Sequence, residues 1–331
     1  ELDCLLSLAA VSAAQTPSCR PQLLDPNAHA PFLDVVGGVH PMASASAFAS
    51  ADSAAAGRSF IANDTAMGTS AHPARVLLVS GPNMGGKSTL LRQVCLLVLM
   101  AQLGCYVTAS ACSLTPADAI YTRLGAADRI MQGQSTFLVE LEETSAILRR
   151  ATQHSLVIMD ELGRGTATFD GSALAHGVLQ FLVSRLQSRA LFATHYHSLL
   201  EEAKADPRVR RCHMACIVGG RARSEEEKDD GWRHDETEGD ARVTFLYKLV
   251  PGASEKSFGL NVARLAGIPS SVVRRAGEMG RKLELCMTRT SEQGSGDKLH
   301  TLARAVIDAA KRGDTAEIEK LRVQWQATIK T

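Results

Sequence analysis

The sequence predicts an α/β fold, a sheet with covering helices built around a phosphate-binding loop, followed by an all-helical C-terminal region. Three observations predict it. Apolar runs at Val76–Val79, Leu156–Met159 and Leu191–Ala193 alternate with helical stretches between Phe60 and Val250. The first run leads into GPNMGGKST, residues 81–89, and then into Leu90-Leu91-Arg92-Gln93, a strong helix opening. This is the strand–loop–helix setting that the pattern G-x-x-x-x-G-K-[ST] requires. Beyond Pro251-Gly252 the apolar spacing is helical throughout.

A chain of 331 residues has room for one large domain and a smaller one. With 45% apolar and 21% charged residues it reads as globular and soluble. The net charge of +1 gives no broad basic field for wrapping nucleic acid. Its eight cysteines are scattered without a C-x-x-C pair. In CHMAC, Cys212 and Cys216 flank His213, which is a weak zinc pattern, and buried strand cysteines in a reducing compartment fit better. The most apolar run, Val94–Met100, meets Gln102 and Gly104 too soon to span a bilayer, and no signal peptide is visible. The chain opens inside a helical stripe at Glu1, which suggests a piece of something longer.

In chain order, Leu2, Leu5, Leu6, Leu8, Ala9 and Val11 form a helical stripe expected to pack on something. Pro17, Pro21, Pro26 and Pro31 mark irregular backbone. A strand is expected over Phe32–Val36, ended by Gly37-Gly38. Residues 42–57 are almost entirely Ala and Ser and read as a surface insertion. The charged run within 219–242 lies between strand-like CHMACIV and VTFLYKLV, which predicts a hairpin with a long solvated loop. A short helix at Leu260–Leu265, a turn at Gly267-Ile268-Pro269 and a helix capped by Ser270 or Ser271 follow, the last carrying Val272, Val273, Ala276 and Met279. A linker near 291–297 precedes two amphipathic segments around 299–310 and 315–329.

The loop residues have distinct chemical uses. Gly81, Gly85 and Gly86 let backbone N–H groups wrap phosphate oxygens, and the following helix N-terminus adds partial positive charge. Lys87 can reach β- and γ-phosphates, and the Ser88 hydroxyl can take a Mg²⁺ position. The strand Leu156–Met159 ends in Asp160-Glu161, a carboxylate for Mg²⁺ beside one suited to orienting an attacking water. Gly163-Arg164-Gly165-Thr166 makes a turn directly afterwards. His195 ends another strand, at the sheet edge where open α/β sheets bind ligands, and suits a γ-phosphate sensor; His197 reads as structural. Ser135 is a fair N-cap for a helix with Glu140, Glu142 and Glu143 near its start. Its hydroxyl could equally face a phosphate held by another subunit, and spacing alone does not choose between these uses.

Together, GPNMGGKST, TRLGAADRIMQGQSTFLVELEET, MDELGRGTATFDG and ATHYHSL resemble the DNA mismatch-repair MutS family. The likeness continues through FLYKLVPGASEKSFGLNVARLAGIP, which is similar to that family's C-terminal helix-turn-helix. CRPQLLD, LTPADAIYTRLGAADRIM, GTATFDG, THYHSL and CHMAC look most like its eukaryotic MutS homolog six branch. The resemblance implies an ABC-type, Mg²⁺-dependent ATPase that turns ATP into ADP and phosphate, with two subunits completing each other's sites. By matching motif, Asn83, Met84, Gly85, Gly86, Lys87, Ser88 and Thr89 would contact phosphates, and Phe60 with Ile61 would lie against adenine. Ser88 and Asp160 would serve Mg²⁺, Glu161 would position water, His195 would sense the γ-phosphate, and Ser135 would act in trans.

It further implies three regions. Residues 1–31 would end a helical connector and enter the ATPase domain, 32–250 would be that domain with insertions near 42–57 and 219–242, and 251–331 would be a helix-turn-helix dimerisation region. The partner would be a second, smaller eukaryotic MutS-family subunit. Mismatched duplex DNA would be met through domains preceding Glu1, MutL-type proteins would act downstream, and the setting would be nuclear, with no membrane. The pattern departs from the family at Val39, which precedes His40-Pro41 where the family has Arg, at Thr108, usually Pro, and at Glu255 before Lys256-Ser257. An ABC transporter subunit shares the loop, Asp-Glu and His, but Ser135-Thr136-Phe137 stands where its LSGGQ signature belongs. A non-catalytic module that only holds nucleotide has no need of both Glu161 and His195.

Overall fold

The apolar runs become the centre of a six-stranded sheet. A computed structural model of the chain describes residues 1–14, 16–42, 60–125, 135–219, 242–254 and 258–292. The insertion beyond Met42, the charged loop, Glu255-Lys256-Ser257 and the segments expected around 299–310 and 315–329 lie outside the described residues. The elements of the first half are α1 (Leu2–Ala14), β1 (Gln22–Leu23), β2 (Leu33–Gly38), β3 (Asn63–Met67), β4 (Val76–Ser80), α2 (Lys87–Leu103), β5 (Ala111–Leu114), β6 (Ile120–Arg123) and α3 (Thr136–Arg150). The second half contributes β7 (Leu156–Asp160), α4 (Thr168–Phe181), β8 (Arg189–Ala193), α5 (His197–Glu202), β9 (Val209–Gly219), β10 (Arg242–Pro251), α6 (Gly259–Leu265) and α7 (Ser270–Glu292). The chain divides into two compact units, Glu1–Val262 and Ala263–Thr331.

In the first unit the six strands run in the order β10-β9-β4-β8-β7-β6. All neighbours pair in parallel except β9 and β10, the expected hairpin, whose register shifts between Phe245 and Leu249. Parallel strands are covered on both faces, so their sequences read as unbroken apolar runs. The two-residue period then divides each run between two cores. Leu77, Val79, Ile158 and Leu191 pack with Leu91, Val94 and Leu97 of α2. Val76, Leu78, Met159 and Phe192 face the other way, towards Ala175 and Leu179 of α4 and Leu199 of α5. The register aligns Val79 and Asp160 with Ala193, so β4, β7 and β8 end together at one edge.

A second sheet was not expected. Short strands in the order β1-β5-β2-β3 join segments far apart in the sequence, and Leu33, Met67 and Leu114 pack into the same core as α2. Strands this short, paired over long separations, leave no periodic signal. Gly37-Gly38, expected to end a strand, instead forms an irregularity inside β2. Gly37 takes φ 62, donates its N–H to Asp64 Oδ1 at 2.7 Å, and leaves no room for a Cβ, which would lie 2.7 Å from Ser110 Oγ.

Helix α1 also differs from expectation, since none of its residues is buried. Leu2, Leu5 and Leu6 are 71%, 62% and 61% exposed, and the helix is tied down at Ser12, whose hydroxyl accepts the N–H of Tyr106 at 3.0 Å. The departures at Val39 and Thr108 turn out to meet. Val39 donates its N–H to the Thr108 carbonyl at 2.8 Å, and the buried Thr108 hydroxyl returns a 2.6 Å bond to the Val39 carbonyl. Across the start of the second unit, α6 ends at a turn in which Gly267 and Ile268 donate to the Arg264 and Ala263 carbonyls. Helix α7 starts at Ser270 itself, so the cap falls ahead of both serines expected to supply it, with the Pro269 carbonyl accepting from Val272 and Val273.

Candidate functional site

The loop after β4 is wound tightly because its glycines permit it. Gly81 takes φ 131 and runs beside β9, where a Cβ would stand 3.0 Å from the Met214 nitrogen. Gly86 takes φ 94 directly before α2, and Met84 holds φ 68 without being glycine, a conformation that surrounding structure must enforce. The loop forms one wall of a cavity of about 570 Å³, a volume suited to a nucleotide-sized ligand.

Lys87 opens α2 and is 5% exposed. The amine donates to the carbonyls of Gly81 at 2.8 Å and Pro82 at 3.2 Å, and stands 3.5 Å from Glu161 Oε1. Burial lowers its pKa, and the charge of Glu161 opposes that shift. Ser88 donates to Asp160 Oδ2 at 2.6 Å. The other oxygen, Asp160 Oδ1, is buried with no hydrogen-bond partner. Burial raises the pKa of Asp160, Ser88 pulls it back, and Glu161 pushes it up again. A hydroxyl beside a carboxylate with one unused, dry oxygen fits a hard divalent cation, which takes oxygen ligands.

Glu161 follows the strand with φ 53 and donates its N–H to the Ala193 carbonyl at 3.0 Å. Its Oε2 pairs with Arg164 at 2.7 Å. His195 lies outside the cavity wall, with its ring centroid 4.2 Å from that of Tyr196 and Nδ1 buried without a partner. Burial lowers its pKa, which the charge of Glu161 opposes.

Of the residues expected at the site, Phe60, Ile61, Asn83, Met84, Gly86, Lys87, Ser88, Thr89 and Glu161 line the cavity. Gly85 closes the loop from behind, donating to the Pro82 carbonyl at 3.0 Å. Asp160 joins through Ser88, whereas Ser135 stands apart as the N-cap of α3, its Oγ accepting from the Leu138 N–H at 3.2 Å.

Sequence reasoning missed Asn63, Gln93, Arg164, Met214 and Tyr247 in the cavity wall. Gln93 was findable, because it follows Thr89 by one helical turn and so shares its face. Tyr247 was not. It lies at the irregularity of β10 with φ 53, where its carbonyl accepts from Asn63 Nδ2 at 2.9 Å. Asn63 Oδ1 accepts from the Leu249 N–H at 2.7 Å, so one side chain pins the middle and the far end of the distortion.

The fold and this convergence of loop, lysine, hydroxyl and strand-end carboxylate define an ATPase-type α/β domain. The family model MutS domain V matches residues 77–284, more than half of the sequence. The chain therefore belongs to the MutS family, whose members are in general ATPases. It is 48% identical over 289 residues to the DNA mismatch repair protein Msh6 of Gallus gallus, and 47% identical over 289 residues to that of Homo sapiens. Each match covers 86% of this chain and 20% of the relative. The DNA mismatch repair protein MutS of Roseiflexus sp. (strain RS-1) is 40% identical over 296 residues, covering 88% of this chain and 24% of that protein. The chain is thus Msh6-like and spans about a fifth of the length of the Msh6 relatives it matches. No described helix is long and apolar enough to cross a membrane, and the described residues hold no cluster of three metal-ligating side chains, CHMAC included.

Proposed function

We propose that this chain is the ATP-binding, ATP-hydrolysing and dimer-forming part of a mismatch-recognition protein. The observation that carries the reading is the pairing of Ser88 with Asp160, whose second oxygen is buried and unpartnered, beside the dry amine of Lys87. In this reading 1–31 enters an ABC-type ATPase domain at 32–250, and 251–331 is a helix-turn-helix dimerisation region. Lys87 holds the β- and γ-phosphates, and the loop N–H groups from Asn83 to Thr89 wrap them. Phe60 and Ile61 lie against adenine. Ser88 and Asp160 would hold Mg²⁺, which when bound screens the phosphate charge. Glu161 orients the attacking water, and His195, whose pKa is lowered by partial burial, senses the γ-phosphate.

The partner is a second MutS-family subunit, the smaller eukaryotic one, with Ser135 serving the partner's nucleotide. The nucleotide state then sets clamping on mismatched duplex DNA, through regions of the longer relatives outside the matched stretch, and signals to MutL-type proteins in the nucleus. The test is a pair of variants. Lys87→Ala is expected to lose nucleotide binding, whereas Glu161→Ala should still bind ATP and turn it over roughly 10²–10⁴-fold more slowly. Rapid turnover by Glu161→Ala would remove that residue from its role, and tight ATP binding by Lys87→Ala would remove the loop reading.

A further inference from the structure

Gly163 stands just beyond Glu161, and both its polar backbone groups are held from outside the turn. Its N–H donates to Glu140 Oε1 at 2.5 Å, and its carbonyl accepts from the Tyr196 hydroxyl at 2.9 Å. Glu140 belongs to α3, and its second oxygen lies 3.0 Å from Arg123 Nη2 at the end of β6. Both members of that pair are buried, at 3% exposure for Arg123 and 4% for Glu140. Arg123 also donates to the Gly125 carbonyl and has Glu143 at 3.5 Å from its Nε. Tyr196 is buried next to His195.

A buried ion pair is a poor source of stability, because removing two charges from water offsets most of their attraction. This one instead fixes positions. The turn has no slack, since a Cβ on Gly163 would stand 2.6 Å from the Gly171 carbonyl, and one on Gly171 would stand 2.3 Å from both Gly163 O and the Tyr196 hydroxyl. Upstream, Glu161 keeps its left-handed backbone, which persists only where neighbours over-determine it. On one side the Ala193 carbonyl holds its N–H. On the other stands the clamped glycine.

We propose that Glu140 and Tyr196 are positioning residues that clamp the Gly163 turn and so aim the Glu161 carboxylate, Glu140 tying that aim to helix α3. Because Ser135 caps α3, whatever meets that helix N-terminus acts on the hydrolytic carboxylate through Glu140. The inference deepens the ATPase reading and rests on it. It places the effect on the hydrolysis step, not on nucleotide affinity.

The experiment uses the full chain with its MutS-family partner. Affinity for a fluorescent ADP analogue, single-turnover ATP hydrolysis and Tm are measured for wild type, Tyr196→Phe and Glu140→Gln. Tyr196→Phe removes only a hydroxyl, and Glu140→Gln keeps an acceptor for Gly163 while removing the charge opposite Arg123. Affinity is expected to stay within about twofold while hydrolysis slows by roughly ten- to a hundredfold, the loss that misplacing a reacting group causes. Hydrolysis unchanged in both variants overturns the inference. So does a parallel fall of affinity, rate and Tm, which marks a purely structural role. A wild type that binds nucleotide yet never hydrolyses it overturns the ATPase reading itself, and the inference falls with it.

Discussion

Strand β8 opens on a buried cationic side chain, Arg189, and is followed by a half-buried titratable one, His195, and the two ends treat them differently. Arg189, at the start, is 1% exposed. Its Nη1 donates to the Phe32 and Thr115 carbonyls at 3.0 and 2.6 Å, and its Nη2 to those of Pro116 and His154 at 3.3 and 2.5 Å. Only Nε is left over. Just past the other end, the atoms His195 Nδ1 and Asp160 Oδ1 are buried and unpartnered, and Ser88 and Glu161, the partner and the chain neighbour of Asp160, line a cavity of about 570 Å³. Both terminal nitrogens of Arg189 spent on carbonyls from four separate residues mark a staple between loops and sheets. Unused valence beside a cavity marks a place for a ligand, because an unmet buried polar atom is costly and persists where something else is gained.

The sharpest way to break this comparison is Arg189→Leu. Four carbonyls would lose a donor, and the expected loss is about 3–5 kcal/mol of unfolding free energy, read by urea titration. A loss below about 1 kcal/mol would mean that the staple is decorative and that pairing is no guide to role.

Next in size is Gly171→Ala. The added methyl would overlap Gly163 O and the Tyr196 hydroxyl. Such overpacking costs roughly 1–3 kcal/mol, and here it should slow ATP hydrolysis as well, because the turn carrying Glu161 must shift. An equal change at Gly177, where a Cβ meets nothing within 4 Å, serves as the control and should leave turnover unaltered.

A smaller effect separates the two ends by pH. Burial holds the folded pKa of His195 below its ordinary 6.5. Between 6.5 and that lower value the unfolded chain binds the extra proton, so stability falls as pH falls through the window. Tm measured from pH 7 to pH 5 should decline, and His195→Gln should decline less. Equal slopes for both would show that the ring is not held neutral.

The same contrast explains what the sequence made legible. The central strands and the loop were readable because a parallel buried strand is one apolar run and a phosphate loop needs particular residues at fixed spacing. Arg189 gave no signal, since its partners are carbonyls of residues as distant as Phe32. The wall made by Met214 and Tyr247 was equally silent, as it depends on a hairpin distortion that Asn63 fixes from another sheet. Of the three departures from the family pattern, Val39 and Thr108 are hydrogen-bonded to each other across a long stretch of sequence, a pairing no spacing announces.

Ser135 gives the smallest local effect and the most discriminating one. Its hydroxyl accepts the Leu138 N–H, so Ser135→Ala removes an N-cap and should cost about 1 kcal/mol, measured by chemical unfolding. That cost is the same whether or not the residue also serves a partner. Ser135→Asp separates the uses, because aspartate caps as well as serine but carries a negative charge. If α3 only needs a cap, Ser135→Asp behaves as wild type in stability and in turnover of the paired subunits. If the helix N-terminus faces the partner's phosphates, the variant stays stable while the partner's ATP hydrolysis falls, since like charges now oppose each other there. Turnover is therefore measured in a heterodimer whose other subunit alone can hydrolyse ATP, with this chain carrying Glu161→Ala. A stable Ser135→Asp that leaves that turnover intact would return Ser135 to being a cap and nothing more.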